Sequence, residues 1–361
     1  MYNKIYIKYI YRIFLERLFY VFLIFSSLIF IMNILEELKF FSDNDNIGIG
    51  YPVLLTILNL PSVIFEIFPF IILIATQFFF IKFQTNDEIL IFRNNGINNL
   101  KLISLISFLV FLIGVIVISL FHFLSSNMKN SYLEFKNKYT KDNKYLAVVN
   151  ENGLWIKDKL DQNFMIIHSE KIENKLLKKL VITTYDNEFR NEKNIIANEA
   201  LITTNIWVLN DVILIDSSGA KQTKSQLNFE TNFDYIKINS LFSNLDSLNV
   251  FQLFNQKQDF KSVGLNTSEV DLYLNKIYSL PVSLVIFALL SSLLMLNIKI
   301  KRSKTFILIS GILLSVVIYY IFYFFGLLGA NNKIPIALAV WLPNVILFLS
   351  CMVGIININE K

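Results

Sequence analysis

Long apolar runs alternate with polar stretches along the chain, and these runs are long enough to cross a lipid bilayer. A hydrocarbon core of about 30 Å requires roughly 20 apolar residues in a helix. Six runs reach or nearly reach this length: Leu18–Leu35, Ser62–Ile81, Leu102–Leu124, Ile277–Ile298, Thr305–Leu328 and Ile334–Ile356. The pattern therefore predicts six transmembrane helices. We do not interpret the first run as a signal peptide, because no small-residue cleavage site follows it before Glu36 and Glu37.

Between the third and fourth runs the periodicity changes to that of short β-strands. The segments are short and β-like, such as Phe164–His168 and Leu180–Thr184, and turn pairs such as Asn152-Gly153 separate them. Such spacing without intervening helices is typical of an antiparallel sandwich or jelly roll. We therefore predict an α-helical membrane protein with an inserted antiparallel β-jellyroll domain. Residues 1–125 would hold spans one to three, 126–270 the β domain with its linkers, and 271–361 spans four to six.

The basic residues near the span ends predict the orientation of the chain. Lysine and arginine accumulate in loops that remain in the cytoplasm. They precede the first span, lie between the second and third, and lie between the fourth and fifth: Lys4, Lys8, Arg12, Arg17, Lys82, Arg93, Lys101, Lys299, Lys301, Arg302 and Lys304. The opposite short loops carry only Lys39 and Lys333. Both termini are therefore expected in the cytoplasm of the inner membrane, with the β domain in the periplasm.

Composition narrows the classes of function. The chain has 361 residues, of which 54% are hydrophobic and 17% charged, and a net charge of +5 that is concentrated beside the apolar runs. This distribution argues against nucleic-acid binding. Cys351 is the single cysteine, and the two histidines, His122 and His168, are far apart in sequence. Because no metal-binding motif, nucleophile motif or Walker A loop is present, we expect no metal, no cofactor and no intrinsic catalysis.

Short motifs occur along the chain in a specific order. They are Tyr9-Ile10 before span one, Leu60-Pro61 and Phe68-Pro69 in span two, Asp87-Glu88 and Gly96 in the next loop, the run Gly153-Leu154-Trp155-Ile156-Lys157-Asp158, and Pro281 and Ile334-Pro335 in the last spans. Together with the arrangement of the spans, they resemble the LptF/LptG permease family over nearly the whole chain. These permeases are the paired membrane subunits of the transporter that exports lipopolysaccharide. The Gly-Leu-Trp run resembles LptG more than LptF.

The resemblance implies a set of partners and a transport route. It implies a heterodimer with an LptF-like subunit, driven by a cytoplasmic LptB-like ATPase dimer. Lipopolysaccharide would enter sideways from the outer leaflet of the inner membrane. It would then pass through the β-jellyroll domains, including those of LptC-like and LptA-like periplasmic proteins, toward the outer membrane.

The loop between spans two and three, residues 84–101, is the candidate contact with the ATPase. Asp87 and Glu88 would open a short helix, where acidic residues are favourable, and Gly96 can end it. The resembled family uses this loop as a coupling helix, and Glu88 matches its acidic position. We take Asp87, Glu88, Phe92, Arg93 and Gly96 as the candidate residues. The alternative is an ordinary cytoplasmic turn with solvated charges.

Two groups of residues are candidates for contact with the substrate. Lys39 lies just outside span one, where an ammonium group can pair with a lipid A phosphate. Alternatively, it only anchors the helix at the headgroups. Lys129, Tyr132 and Lys136 fall on one face of the extension of span three, which could receive sugar or phosphate. The alternative is a solvated basic face.

Two small residues of span five indicate close helix packing. Gly311 and Ser315 form a small-xxx-small pair that would let another helix approach. Spans one and five of opposite subunits form the lateral gate of the resembled family, so the pair is a candidate gate surface. Packing within the chain is the alternative. Glu66, near the outer end of span two, is interpreted as reaching the membrane interface.

Two other classes of function compete with a permease. A membrane-anchored scaffold would use the β domain to bind a periplasmic partner, but six spans exceed what an anchor needs. An ion-coupled transporter would show buried acids or inverted repeats, and only Glu66 is a candidate acid. Copurification with an ATPase separates the permease from the scaffold.

Overall fold

Long helices make up most of the helical part of the structure. The computed structural model describes residues 3–42, 48–137, 146–150, 153–160, 163–173, 175–186, 190–235, 238, 244–263, 266–296 and 304–359. The helices are α1 (Asn3–Phe40), α2 (Gly50–Thr85), α3 (Glu88–Asn94), α4 (Asn99–Ile116), α5 (His122–Asn137), α6 (Val250–Val263), α7 (Ser268–Leu296), α8 (Lys304–Ala330) and α9 (Ile336–Asn359). A π-helical turn, Val117–Phe121, joins α4 to α5.

Six helical segments within the described residues are long and apolar enough to cross a membrane. They are Ile5–Phe40, Gly50–Thr85, Asn99–Lys136, Ser268–Leu296, Thr305–Ala330 and Ile336–Asn357. These segments confirm the six spans that the sequence predicts. Span two is longer than its apolar run, because the preceding residues from Gly50 onward continue the same helix.

The chain packs as two compact units. One consists of Met1–Tyr132 with Leu272–Lys361, and the other is Leu133–Asp271. The first holds the bundle of spans and the second holds the β-strands. The functional division at residues 125 and 270 stays a prediction.

The spans differ in how much of their surface lies inside the bundle. The central segments of spans two and four are 56% and 67% buried, whereas those of spans one and five are 17% and 22% buried. Spans two and four therefore form the interior. Spans one and five leave most of their apolar side chains available to lipid or to another protein.

Close approaches at glycine and buried hydrogen bonds join the spans. A Cβ atom at Gly114 would lie 2.7 Å from the Cα atom of Pro281, and one at Gly329 would lie 2.6 Å from the Cβ atom of Ala339. The Ser291 hydroxyl donates to the Leu73 carbonyl at 3.0 Å. Since apolar side chains gain little by leaving lipid for protein, such contacts determine how the helices pair.

The seven strands form one antiparallel sheet. They are β1 (Leu146–Asn150), β2 (Gly153–Leu160), β3 (Asn163–Glu173), β4 (Leu176–Tyr185), β5 (Asn191–Leu201), β6 (Ile206–Asp216) and β7 (Lys221–Glu230). Each strand pairs with the next in chain order. The inserted antiparallel β domain between spans three and four is therefore confirmed, and its described strands pair as a meander.

A line of paired polar residues crosses the middle of the sheet. Each of β3 to β6 has two consecutive residues that are not buried, set between two inward-facing residues that are at most 2% exposed. The pairs are Glu170-Lys171, Lys178-Lys179, Asn198-Glu199 and Asn210-Asp211. Strict alternation would turn one member of each pair inward. The pairing register is the same on both sides of this line, so neighbouring strands break the alternation together and the apolar face stays continuous. Lys179 and Asp211 have positive φ angles there.

A buried carboxylate connects β2 to the segment after β7. Asp158 is fully buried and accepts hydrogen bonds from the Thr231 hydroxyl at 2.6 Å, from the Asn232 backbone N–H at 3.0 Å and from the Asn232 side-chain amide at 3.0 Å. Asp158 is the last residue of the Gly-Leu-Trp run. The motif therefore ties β2 to the segment that follows the last strand.

Replacing Asp158 by alanine should destabilise the β domain. Removal of the carboxylate leaves several buried donors without an acceptor, which costs about 3 kcal/mol or more. We expect the temperature at which protease cleaves the domain to fall by on the order of 10 °C in the full-length protein in detergent. Asp216→Ala, at the exposed end of β6, is the control. An equal fall in both variants would contradict the assigned role of Asp158.

Candidate functional site

The loop between spans two and three forms the short helix α3, with defined ends. Asp87 precedes it with a φ angle of 55°, and Gly96 follows it with a φ angle of 78°. The Gly96 N–H donates to the Arg93 carbonyl at 3.0 Å, and the Ile97 N–H donates to the Phe92 carbonyl at 2.9 Å. This is the Schellman pattern of helix termination, which requires a left-handed residue such as glycine.

One face of α3 is attached to the bundle. The Phe92 ring stacks on Phe83 of span two, with centroids 5.6 Å apart and ring planes 10° apart. Ile89, three residues earlier on the same face, also packs against the core. Glu88 accepts hydrogen bonds from the Tyr9 hydroxyl at 3.1 Å and from the Asn86 amide at 3.0 Å. Span one, the end of span two and α3 are thus linked at Glu88.

The opposite face of α3 carries two exposed apolar side chains. Leu90 is 56% exposed and Ile91 is 57% exposed, and Arg93 beside them is also exposed. The sequence suggests Phe92 as a contact residue of this loop, but its ring faces the bundle. The sequence spacing could have predicted this orientation. Ile89 and Phe92 are three residues apart and share one face of the helix, which leaves Leu90 and Ile91 on the other.

A polar cluster joins spans one, two and three at the end of the bundle opposite α3. The Tyr132 hydroxyl donates to Glu37 at 2.8 Å, and both side chains are buried. The Lys129 ammonium donates to Asn59 at 2.7 Å and lies 4.9 Å from the centroid of the Tyr132 ring. Lys129 and Tyr132 therefore make contacts within the chain.

The other two basic candidates differ in the exposure of their side chains. Lys39, at the end of span one, is exposed, whereas Lys136 is partly buried. Of the four residues that the sequence suggested for substrate contact, Lys39 has the most accessible side chain. The geometry brings Lys129 and Tyr132 together but joins neither to Lys39 through any contact that the described residues show.

A cavity of about 400 Å³ lies between spans two, four, five and six. Aromatic and aliphatic side chains form most of its wall, including Phe70, Phe287 and Phe322. Glu66 of span two and Lys276 of span four face the same space. Sequence reasoning noticed Glu66 alone, because Lys276 lies just before the apolar run of span four.

The π-helical turn of span three supports one wall of this cavity. It is followed directly by His122, which is 1% exposed and packs against Phe65 at 4.9 Å and Tyr273 at 6.4 Å between ring centroids. Both neighbours line the cavity. A π turn adds a residue to the helix and rotates the side chains after it to a new direction. No group of three or more potential metal ligands occurs among the described residues.

Gly311 of span five packs against a polar side chain of the same chain. A Cβ atom at this position would overlap the Gln77 side-chain amide of span two. Gln77 is fully buried and donates to the Ile307 carbonyl at 3.4 Å. Ser315, one turn further, is 1% exposed and donates to the Ile312 carbonyl at 2.7 Å. The small-xxx-small pair therefore lies at a contact within the bundle.

Gly311→Ala tests whether a glycine is needed here for the contact with Gln77 or for contact with another subunit at a gate. The added methyl group should displace the Gln77 amide and lower stability by about 1–3 kcal/mol. In a Gln77→Ala background the same change should cost little, because the obstructing side chain is absent. Thermal unfolding of the four variants in detergent measures the coupling. Gly326→Ala on the same helix, where the new Cβ would lie 3.5 Å from its nearest neighbour, is the control. A penalty that persisted without Gln77 would favour contact with another subunit instead.

Comparison with known sequences gives one strong match. The sequence profile described as lipopolysaccharide export system permease LptF/LptG matches residues 8–357. A comparison with curated proteins finds no match.

Proposed function

The chain belongs to the lipopolysaccharide export system permease LptF/LptG family, and we propose that it is the permease subunit of an ABC transporter that extracts lipopolysaccharide from the inner membrane. It would pass the lipid to a periplasmic bridge toward the outer membrane. The observation that carries the proposal is the family match over nearly the whole chain, from span one to span six. In the proposed topology both termini are cytoplasmic, and the β domain, residues 126–270, is periplasmic.

We propose that α3 is the contact with an LptB-like ATPase dimer. Leu90 and Ile91 project from it, and the burial of two such side chains in a groove contributes roughly 1.5–3 kcal/mol each. Glu88 and Phe92 hold the helix on the bundle and Gly96 ends it, so movement of the groove would reach spans one and two directly. Asp87 and Arg93 border the exposed pair. ATP hydrolysis belongs to the partner, and this subunit is non-catalytic.

The exposed spans and the outer strands of the sheet support two further kinds of protein partner. Spans one and five are mostly unburied within the chain, which suits pairing with an LptF-like subunit and a lateral gate between the two. The sheet has outer strands β1 and β7, and an outer strand can accept another strand edge to edge. We propose that LptC-like and LptA-like proteins extend the sheet in this way and that lipopolysaccharide follows it.

Polar replacement of the exposed pair tests the proposed ATPase contact. Leu90→Ser and Ile91→Ser should each weaken copurification of the ATPase about tenfold, since 1.4 kcal/mol corresponds to a factor of ten. The thermal stability of the permease should stay unchanged because neither side chain packs inside. Leu100→Ser, at an exposed leucine in the first turn of α4, is the matched control. The identity of the copurified ATPase and lipid is read by mass spectrometry.

Glu88→Ala is the second arm of this experiment. It removes the link from α3 to Tyr9 while leaving the exposed pair intact. ATPase should still bind, but hydrolysis should no longer drive lipid release from the complex. If all variants bind and transport like the wild type, α3 is an ordinary turn. If no ATPase copurifies with the wild type either, the scaffold function is favoured.

We propose that Lys39 contacts a lipid A phosphate. Its side chain is exposed at the end of span one, where a bound lipid's headgroup would lie, and an ammonium group pairs with phosphate as a point charge. Lys129 and Tyr132 would support this contact through their own contacts with Asn59 and Glu37. Lys136 is proposed as a contact with the substrate in its own right.

Charge reversal at Lys39 tests this contact. Lys39→Glu should reduce photocrosslinking of lipopolysaccharide to span one several-fold, and Lys39→Arg should retain most of it. Lys333→Glu, in another short loop at an exposed position, is the control for a general effect of surface charge. Unchanged crosslinking and growth in the Lys39→Glu strain would mean that the lysine only anchors the helix.

A further inference from the structure

The cavity between spans two, four, five and six is formed within one chain. Its wall is mostly apolar, and Tyr273, Tyr319 and Tyr323 add three phenolic groups. Its volume of about 400 Å³ falls in the range of ligand pockets. This volume suits a lipid headgroup and the first part of its chains, with the remaining chains left in the bilayer.

The two charged residues of the cavity lie at the same depth. The amide of Gln84 donates to the Met295 carbonyl at 2.6 Å, so the ends of spans two and four meet beside α3. At 1.5 Å per residue, Glu66 lies roughly 28 Å and Lys276 roughly 30 Å from those ends. This equals about one hydrocarbon thickness. Both side chains therefore reach the level of the headgroups on the side opposite α3.

The charges of the pair are opposite, but they are not joined in a close ion pair. Glu66 and Lys276 are near enough to interact electrostatically. Among the described residues, the Lys276 ammonium makes no hydrogen bond and no ion pair within 4 Å. A Cβ atom at Gly326 would lie 3.5 Å from it, so span five leaves room beside the charge. Both side chains are exposed, so each charge is accessible to a ligand in the cavity.

We propose that this cavity binds the headgroup of a zwitterionic glycerophospholipid. The phosphate pairs with Lys276, the ammonium group pairs with Glu66, and one acyl chain lies along Phe70, Phe287 and Phe322. A neutral pair of opposite charges complements a zwitterion. The Glu66 carboxylate attracts the ammonium group of a zwitterion and repels a headgroup that is only anionic. The bound lipid is distinct from the exported one, and the site does not depend on the transport function.

Lipid binding to the intact protein tests the proposal. The full-length protein, with any copurifying partners, is exchanged into detergent, and native mass spectrometry follows binding of phosphatidylethanolamine and phosphatidylglycerol with identical acyl chains. The wild type should bind phosphatidylethanolamine about tenfold more tightly. Lys276→Gln should lose most of this binding, and Glu66→Gln should shift the preference toward phosphatidylglycerol. Lys333→Gln should behave as the wild type.

The outcomes separate this site from the transport function. Equal or greater affinity of the wild type for phosphatidylglycerol, or for lipid A at this site, would overturn the zwitterion proposal. So would loss of phosphatidylethanolamine in Glu66→Gln without any gain of the anionic lipid. Should Lys276→Gln fail to fold, the combined exchange of Glu66→Lys and Lys276→Glu decides, since it keeps the charge pair and should keep binding. Wild-type protein that binds phosphatidylethanolamine but no ATPase would support this site and refute the transporter.

Discussion

The bundle depends on a constraint imposed by lipid: an apolar side chain gains almost nothing by moving from acyl chains into protein. Helices in a membrane therefore associate through close contact and through polar groups that lipid cannot satisfy. In this chain Gly114 admits the backbone of span four at Pro281, and Gly311 admits the Gln77 amide. Ser291 bonds the backbone of span two. Each of these contacts involves span two or span four, which are the two most buried spans.

The same constraint explains what the sequence could and could not predict. Six spans follow from length and hydropathy alone, because the bilayer sets a minimum length for each. The start of span two was predicted at Ser62, yet the helix begins at Gly50, because the less apolar residues before the proline still hydrogen-bond as helix. Which apolar residues face lipid and which face protein has no compositional signal, so the cavity could not be located from the sequence.

The β domain shows a comparable limit. Short β-like segments and turn pairs predicted antiparallel strands, in which successive side chains face opposite sides of the sheet. At Lys178-Lys179 and Asn210-Asp211 two residues face outward in succession, which looks like a broken pattern when a single strand is read. Only the alignment of four such pairs shows that neighbouring strands share the break. Pairing partners in the sheet are therefore needed before the pattern can be interpreted.

Glu88 and Lys276 illustrate two different uses of charge beside a bilayer. Glu88 lies near the end of span two, where a carboxylate can bond Tyr9 and Asn86 without leaving water completely, so its role is to connect helices. Lys276 lies about one membrane thickness away, at the level of the headgroups, and its side chain is exposed there. Glu66 attracts this ammonium group across the cavity. No described side chain bonds it, and a lipid phosphate is the acceptor that the bilayer itself provides at this level.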